Sequence, residues 1–221
     1  MGNTRAVEMF EKVAASGGLL DYGPDRTRLL IQVARELARG EPVPVERIDR
    51  IIADLEIDRE DAYVLLAEVA ERDADGNIVG ALPGLTLSDT SHRFSVDGVR
   101  LSTWCAADAL ILPSLLDRPA VVESQSPETG AKVSLTISPQ RLEHVEPAGA
   151  VVSMVIVDPD DADMSSVQAI WGTFCHHIYF FPSRDEAAQW SAGRDDIDIL
   201  SVEEAFELVQ RISSRFLAYA A

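Results

Sequence analysis

Apolar residues recur with helical spacing through the first third of the chain. After a short amphipathic opening from Arg5 to Ala15, Leu29, Leu30, Val33, Leu37 and Ala38 share one helical face, closed by Gly40 and Pro42. A second stripe carries Ile48, Ile51, Ile52 and Leu55. A third carries Ala62, Leu65, Leu66, Val69 and Ala70, at positions i, i+3, i+4, i+7 and i+8. Asp75-Gly76-Asn77 is a tight-turn signal, and strand-like runs follow at Asn77–Gly80 and His92–Val96. Helices followed by a hairpin are the order of a winged helix-turn-helix.

Beyond that point the pattern alternates. Val99–Trp104 reads as a strand and Cys105–Leu116 as a short apolar helix. Strands follow at Ala120–Ser124, Lys132–Ile137, Leu142–Glu146 and Ala150–Val157, separated by Pro- and Gly-containing turns. Asp158-Pro159-Asp160-Asp161 marks an acidic loop. Residues His176–Phe181 read as another strand, and Pro182-Ser183 opens a helix containing Trp190. The last helix runs from Ser201 to Leu217, with Ser201 and Glu204 spaced as a capping box. Strands flanked by helices, without a βαβ rhythm, predict an α+β fold. The expected division is a winged-helix-like subdomain over residues 1–85 and a catalytic domain with a mixed sheet over residues 86–221.

Charge narrows the function. The formal net charge is −18, which disfavours DNA, RNA and anionic membranes as partners. Residues Asp58 to Asp73, where a reading helix would lie, hold six acids against two bases, so phosphate contact is opposed there. No stretch approaches the roughly 20 apolar residues of a membrane span. The N-terminus shows no apolar signal region, and a cytoplasmic location is expected.

Two cysteines are present, Cys105 and Cys175, and a reducing cytoplasm predicts thiols rather than a disulfide. In Trp104-Cys105-Ala106-Ala107-Asp108 the thiol opens a helix, where unpaired backbone N–H groups and the helix dipole favour a thiolate. Asp108 projects from the same first turn. It fits two readings, an N-terminal cap and one half of a proton-transfer pair. In Phe174-Cys175-His176-His177, strand alternation would put Cys175 and His177 on one side and His176 on the other. A structural zinc site is not supported, because a fourth ligand is missing. Two soft thiolates and an acid suit the cleavage of a carbon–metal bond. The sulfurs hold a soft metal and raise electron density on its carbon, and a carboxylic acid kept protonated by burial supplies the proton.

The chain resembles the organomercurial (alkylmercury) lyases over nearly its whole length. The matching stretches include Arg35–Gly40, Asp75–Gly80, Gly84-Leu85-Thr86-Leu87, Trp104-Cys105-Ala106 with Asp108, Val133–Pro139, Val145–Gly149, Phe174-Cys175 with His177, and Ser201-Val202 with Glu204-Ala205-Phe206. The Trp-Cys-x-x-Asp and Phe-Cys segments together are far more specific than either alone. The resemblance implies that Cys105 and Cys175 bind mercury and that Asp108 is the acid; all three together are the expected metal group, and Trp104, Phe174 and His177 are expected to shape the pocket. It also implies an N-terminal part that does not act on DNA, and no organic cofactor. The implied substrate is an alkyl- or arylmercury ion carried as a thiol adduct. The implied products are a hydrocarbon and Hg(II), the latter passed to a thiol or a mercuric reductase. His176 and Ser126 stand where some relatives carry further cysteines. The alternative reading of the same thiols is a non-catalytic soft-metal carrier or sensor, for instance for copper(I).

Overall fold

The computed structural model describes residues 5–9, 22–158 and 161–220. Part of the predicted opening helix, and Pro159 with Asp160 of the acidic loop, lie outside the described residues. Helices α1 (Gly23–Leu37), α2 (Val45–Asp54) and α3 (Arg59–Val69) bury the three predicted apolar stripes. Asp58 caps α3 by accepting from the Asp61 N–H at 2.9 Å, a use for which a short carboxylate is well suited.

Helix α3 is shorter than the apolar pattern predicts. Ala70 turns to extended backbone, and β1 (Ala70–Arg72) pairs antiparallel with β2 (Ile78–Ala81). The connecting turn explains this. Asp73 Oδ1 accepts from the N–H groups of Asp75 and Asn77, and Gly76 takes a φ of +85°. The hairpin so fixed satisfies the backbone groups that a longer helix would have used.

An eight-stranded sheet is built from β1, β2, β3 (Leu85–Thr86), β4 (His92–Val96), β5 (Val99–Thr103), β6 (Ala120–Gln125), β7 (Lys132–Ser138) and β8 (Arg141–Glu146), in the order β1-β2-β3-β5-β4-β6-β7-β8. A second sheet has the order β10-β9-β11, from β9 (Val151–Val155), β10 (Phe180–Phe181) and β11 (Ile197–Ser201). All of these pairings are antiparallel, so the expected mixed sheet is corrected to two antiparallel ones. The helical crossovers from β5 to β6 and from β10 to β11 are long enough for parallel pairs, but β4 and β9 sit between the strands they connect, so every hydrogen-bonded neighbour is antiparallel. The residue-85 division falls inside β3, and one hydrophobic core runs from Leu29 to Val209 across it.

Helix α4 (Ala106–Leu116) lies in the middle. It is apolar on every side and buries Ala106, Ala109, Leu110, Leu112 and Leu115 almost completely, as expected of a helix packed on all faces. It rests on the large sheet and against α7 (Val202–Ala220), which also packs on α1. Helix α5 (Val167–Thr173) leads into the turn that follows it, and α6 (Arg184–Trp190) packs on the smaller sheet. None of the described helices is long and apolar enough to cross a membrane.

The capping box at α7 is present in both directions. The Ser201 N–H donates to Glu204 Oε2 at 2.9 Å, and the Glu204 N–H donates to Ser201 Oγ at 3.1 Å. Ser201→Ala should cost about 1 kcal/mol and lower Tm by roughly 2–4 °C for a chain of this size. Thermal unfolding followed by circular dichroism checks it; an unchanged Tm would show that the cap is dispensable.

Candidate active site

Cys105 stands at the junction of β5 and α4, with extended backbone (φ −149°, ψ 178°) that ends the strand and starts the helix. Thr103 Oγ1 donates to the Cys105 carbonyl at 2.9 Å and fixes the turn from below. Asp108, at the third helical position, turns back so that its Oδ2 accepts from the Cys105 N–H at 3.0 Å. The structure shows Asp108 in the first of its two readings. It caps the helix, and the cap bond itself holds the carboxyl beside the thiol.

The second cysteine arrives by a different route from the one predicted. Residues Cys175–His177 form a 3-10 turn, not a strand, and only Phe180–Phe181 pair with β9. Ser166 caps α5 by accepting from the Ala169 N–H, and the helix runs to Thr173. The turn then continues it, with the His177 N–H donating to the Phe174 carbonyl at 2.9 Å. His177 Nε2 pairs with the Gly172 carbonyl at 2.9 Å, satisfying a helix-end group. Strand alternation thus gives the wrong geometry here, because the backbone groups of these residues are taken by the helix end.

Two anchors bring the turn to α4. Ser153 Oγ on β9 donates to the His177 carbonyl at 2.8 Å and accepts from the Tyr179 N–H at 2.9 Å. The Ala106 N–H, free at the helix start, donates to the Ile178 carbonyl at 3.1 Å. The residues following each cysteine are thereby tied together. Ligand atoms of Cys105, Cys175 and Asp108 all lie within 4.8 Å of one another, although the cysteines are 70 positions apart in the chain.

The three groups face an apolar cavity of about 130 Å³. Its wall comes from distant parts of the chain: Leu30 and Ile31 of α1, Leu82 and Pro83 before β3, Phe174, and Phe216 of α7. Of the three residues expected to shape the pocket, Phe174 lines this cavity. Trp104 turns its indole N–H to Glu71 and its ring edge to Trp171, and His177 lies between Gly172 and Arg194. Tyr22, which the sequence did not single out, also lines the cavity, and its hydroxyl has no hydrogen-bond partner among the described residues. Ser126, in contrast, is engaged elsewhere, donating to Glu186. His176 packs its ring near Trp171.

Cys105 is 2% and Cys175 5% exposed. That burial reverses the effect expected of a helix N-terminus. Desolvation, with the hydrogen bond to Cys175 and the charge of Asp108, pushes the Cys105 thiol well above its usual range, against a lowering from the Asp108 N–H. For Cys175 the bond to Cys105 lowers the value, but burial and the Asp108 charge together outweigh it and the net shift is upward. Burial also raises Asp108 to about 7, against the hydrogen bonds from Cys105. A dry wall disfavours every charged form. Near neutral pH the site holds two thiols and a carboxyl poised between its states, which is the condition for moving a proton.

The raised Asp108 value has a sign that stability measurements can read. The folded protein keeps the Asp108 proton over a range where the unfolded chain has lost it. Its contribution is therefore full below about pH 4 and disappears as pH rises through about 7. Denaturant unfolding of wild type and Asp108→Asn between pH 4 and 8 should diverge by on the order of 4 kcal/mol, the wild type weakening toward high pH. Parallel curves would mean an ordinary carboxyl.

Comparison with known proteins agrees with this geometry. The family model for alkylmercury lyase matches residues 85–214. An alkylmercury lyase of Staphylococcus epidermidis is 41% identical over 180 residues, covering 81% of this chain and 79% of the relative. One of Pseudomonas putida is 34% identical over 94% of this chain and 93% of its own. One of Streptomyces lividans is 37% identical over 91% and 87%. Among solved structures, the mercury-bound form of MerB2 superimposes with a TM-score of 0.72 at 21% identity, covering 96% of this chain and 98% of that one, and so shares the fold. Site, sequence and fold converge, and the chain belongs to the alkylmercury lyase family.

Proposed function

We propose that this protein cleaves the carbon–mercury bond of alkyl- and arylmercury ions by protonolysis, with Cys105 and Cys175 as mercury ligands and Asp108 as the proton donor. One observation carries the reading: two thiols and a carboxyl converge within 4.8 Å in an apolar cavity. Thiolate sulfur is the preferred ligand of soft metals. An apolar cavity of roughly 150 Å³ accommodates a benzene ring, so the wall suits a small organic group on the metal.

The balance closes with the groups at hand. One cysteine exchanges with the thiol that carries the substrate, and that thiol leaves with the displaced proton. As the second cysteine binds mercury, its proton passes to the Asp108 carboxylate. Two sulfur donors raise electron density on the metal-bound carbon. Asp108 then gives its proton to that carbon, the carbon–mercury bond breaks with its electron pair retained by carbon, and the hydrocarbon departs. Hg(II) remains on both sulfurs until a thiol or a mercuric reductase accepts it. No organic cofactor enters this balance, and a cytoplasmic location fits its need for reduced thiols. The winged-helix-like helices α1–α3 serve the pocket rather than DNA, since α1 lends Leu30 and Ile31 to the wall.

Phenylmercury supplied with excess thiol, with benzene measured by gas chromatography, tests the proposal. Wild type should release benzene. Asp108→Ala should still bind Hg(II) but lose at least about 100-fold in rate, the scale of general acid catalysis. Cys105→Ser or Cys175→Ser should be equally impaired and bind Hg(II) more weakly. A wild-type protein that binds mercury but yields no benzene is a soft-metal carrier instead.

A further inference from the structure

Gly84 abuts the Asp108 carboxyl. It follows Leu82-Pro83, both of which line the cavity, and its backbone is held at two points. Its N–H donates to the Ala81 carbonyl and its own carbonyl accepts from the Trp104 N–H, each at 2.8 Å. The second bond ties Gly84 to the residue preceding Cys105. Its φ is +83°, a region glycine enters without penalty. A β-carbon added here would lie 2.2 Å from both Cγ and Oδ2 of Asp108 and 2.7 Å from Oδ1. All three atoms are nearer than non-bonded atoms can come. The carboxyl occupies the space that any side chain at this position would need.

We infer that Gly84 is a positioning residue for the reaction: its bare Cα forms one wall of the slot that holds the Asp108 carboxyl against the Cys105 N–H and beside the two sulfurs. With a side chain at 84, the carboxyl must rotate off the Cys105 N–H or the start of α4 must shift. Neither cysteine meets the added atom among its nearest neighbours, so mercury binding survives while proton delivery suffers. This inference rests on Asp108 being the proton donor, and it adds the constraint that places the donor.

Backbone strain is separable from contact, because Gly76 (φ +85°) and Gly98 (φ +80°) share the conformation but have open space around an added β-carbon. Gly84→Ala, Gly76→Ala and Gly98→Ala are compared in kcat and KM for phenylmercury, Hg(II) binding and thermal unfolding. Gly84→Ala should lose about 100-fold in kcat, the cost of misplacing a reacting group by about 1 Å, with KM and Hg(II) affinity within a few-fold. The two controls should keep wild-type kcat, and Gly84→Ala should melt at least about 4 °C below them.

A Gly84→Ala enzyme with kcat within twofold of wild type overturns the inference, as does an equal loss of kcat in the controls. Should Gly84→Ala alone fail to fold, the Gly84→Ala/Asp108→Ala pair decides. Removing the carboxyl should restore folding, leaving only the Tm loss that Gly98→Ala shows in wild type; a pair that stays unfolded overturns the inference. Wild-type benzene release by Asp108→Ala alone would instead sink the proton-donor reading, while the coupling between positions 84 and 108 would stand or fall on the pair.

Discussion

Holding a half-buried carboxyl against an apolar wall beside two buried thiols is the constraint on which the rest of this structure depends. A lone buried carboxylate is costly, so it must be hydrogen-bonded or remain protonated. Here the Cys105 N–H supplies a bond at 3.0 Å, and the apolar wall favours the protonated form. The same helix start provides the thiol, its backbone donor and the acid. A four-residue stretch thus fixes two of the three reactive groups relative to one another before any tertiary contact is made.

The third group requires the whole fold. Cys175 reaches the helix start because α5 is capped at Ser166, because its end is closed by His177 on the Gly172 carbonyl, and because Ser153 ties the following residues to β9. The Ala106–Ile178 bond then joins the two cysteine segments directly. Burial of α4 on every face makes that junction rigid, since α7 and the large sheet hold it from both sides. Helix α1 completes the enclosure. Stability and chemistry share the same packing, which is why the wall draws on residues from Leu30 to Phe216.

Much of this was legible in the chain. The helical stripes, the Asp75-Gly76-Asn77 turn, the strands from β4 to β9 and the capping box at Ser201 are local patterns, and local physics decides them. Cys105 with Asp108 was legible too, being a single helical turn. The turn at Cys175 was not, since a short apolar–polar alternation suits a strand as well as a helix end. A signal was present nonetheless: Ser166 precedes Val167, Ile170, Trp171 and Phe174 at helical spacing. Tyr22 and Gly84 could not have been read locally. Each matters through what the folded chain sets opposite it. The direction of the thiol shift was hidden for the same reason, because a helix N-terminus is local and dehydration is not.

Compliance at the site is uneven. One sulfur sits on a helix packed all round, while the other sits on three residues of 3-10 turn between a seven-residue helix and a two-residue strand. An ion that lodges between two hydrogen-bonded sulfurs must spread them. With one side packed all round, any such separation would have to be taken up at the three-residue turn, within the limits that the Ser153 and Ala106 bonds set.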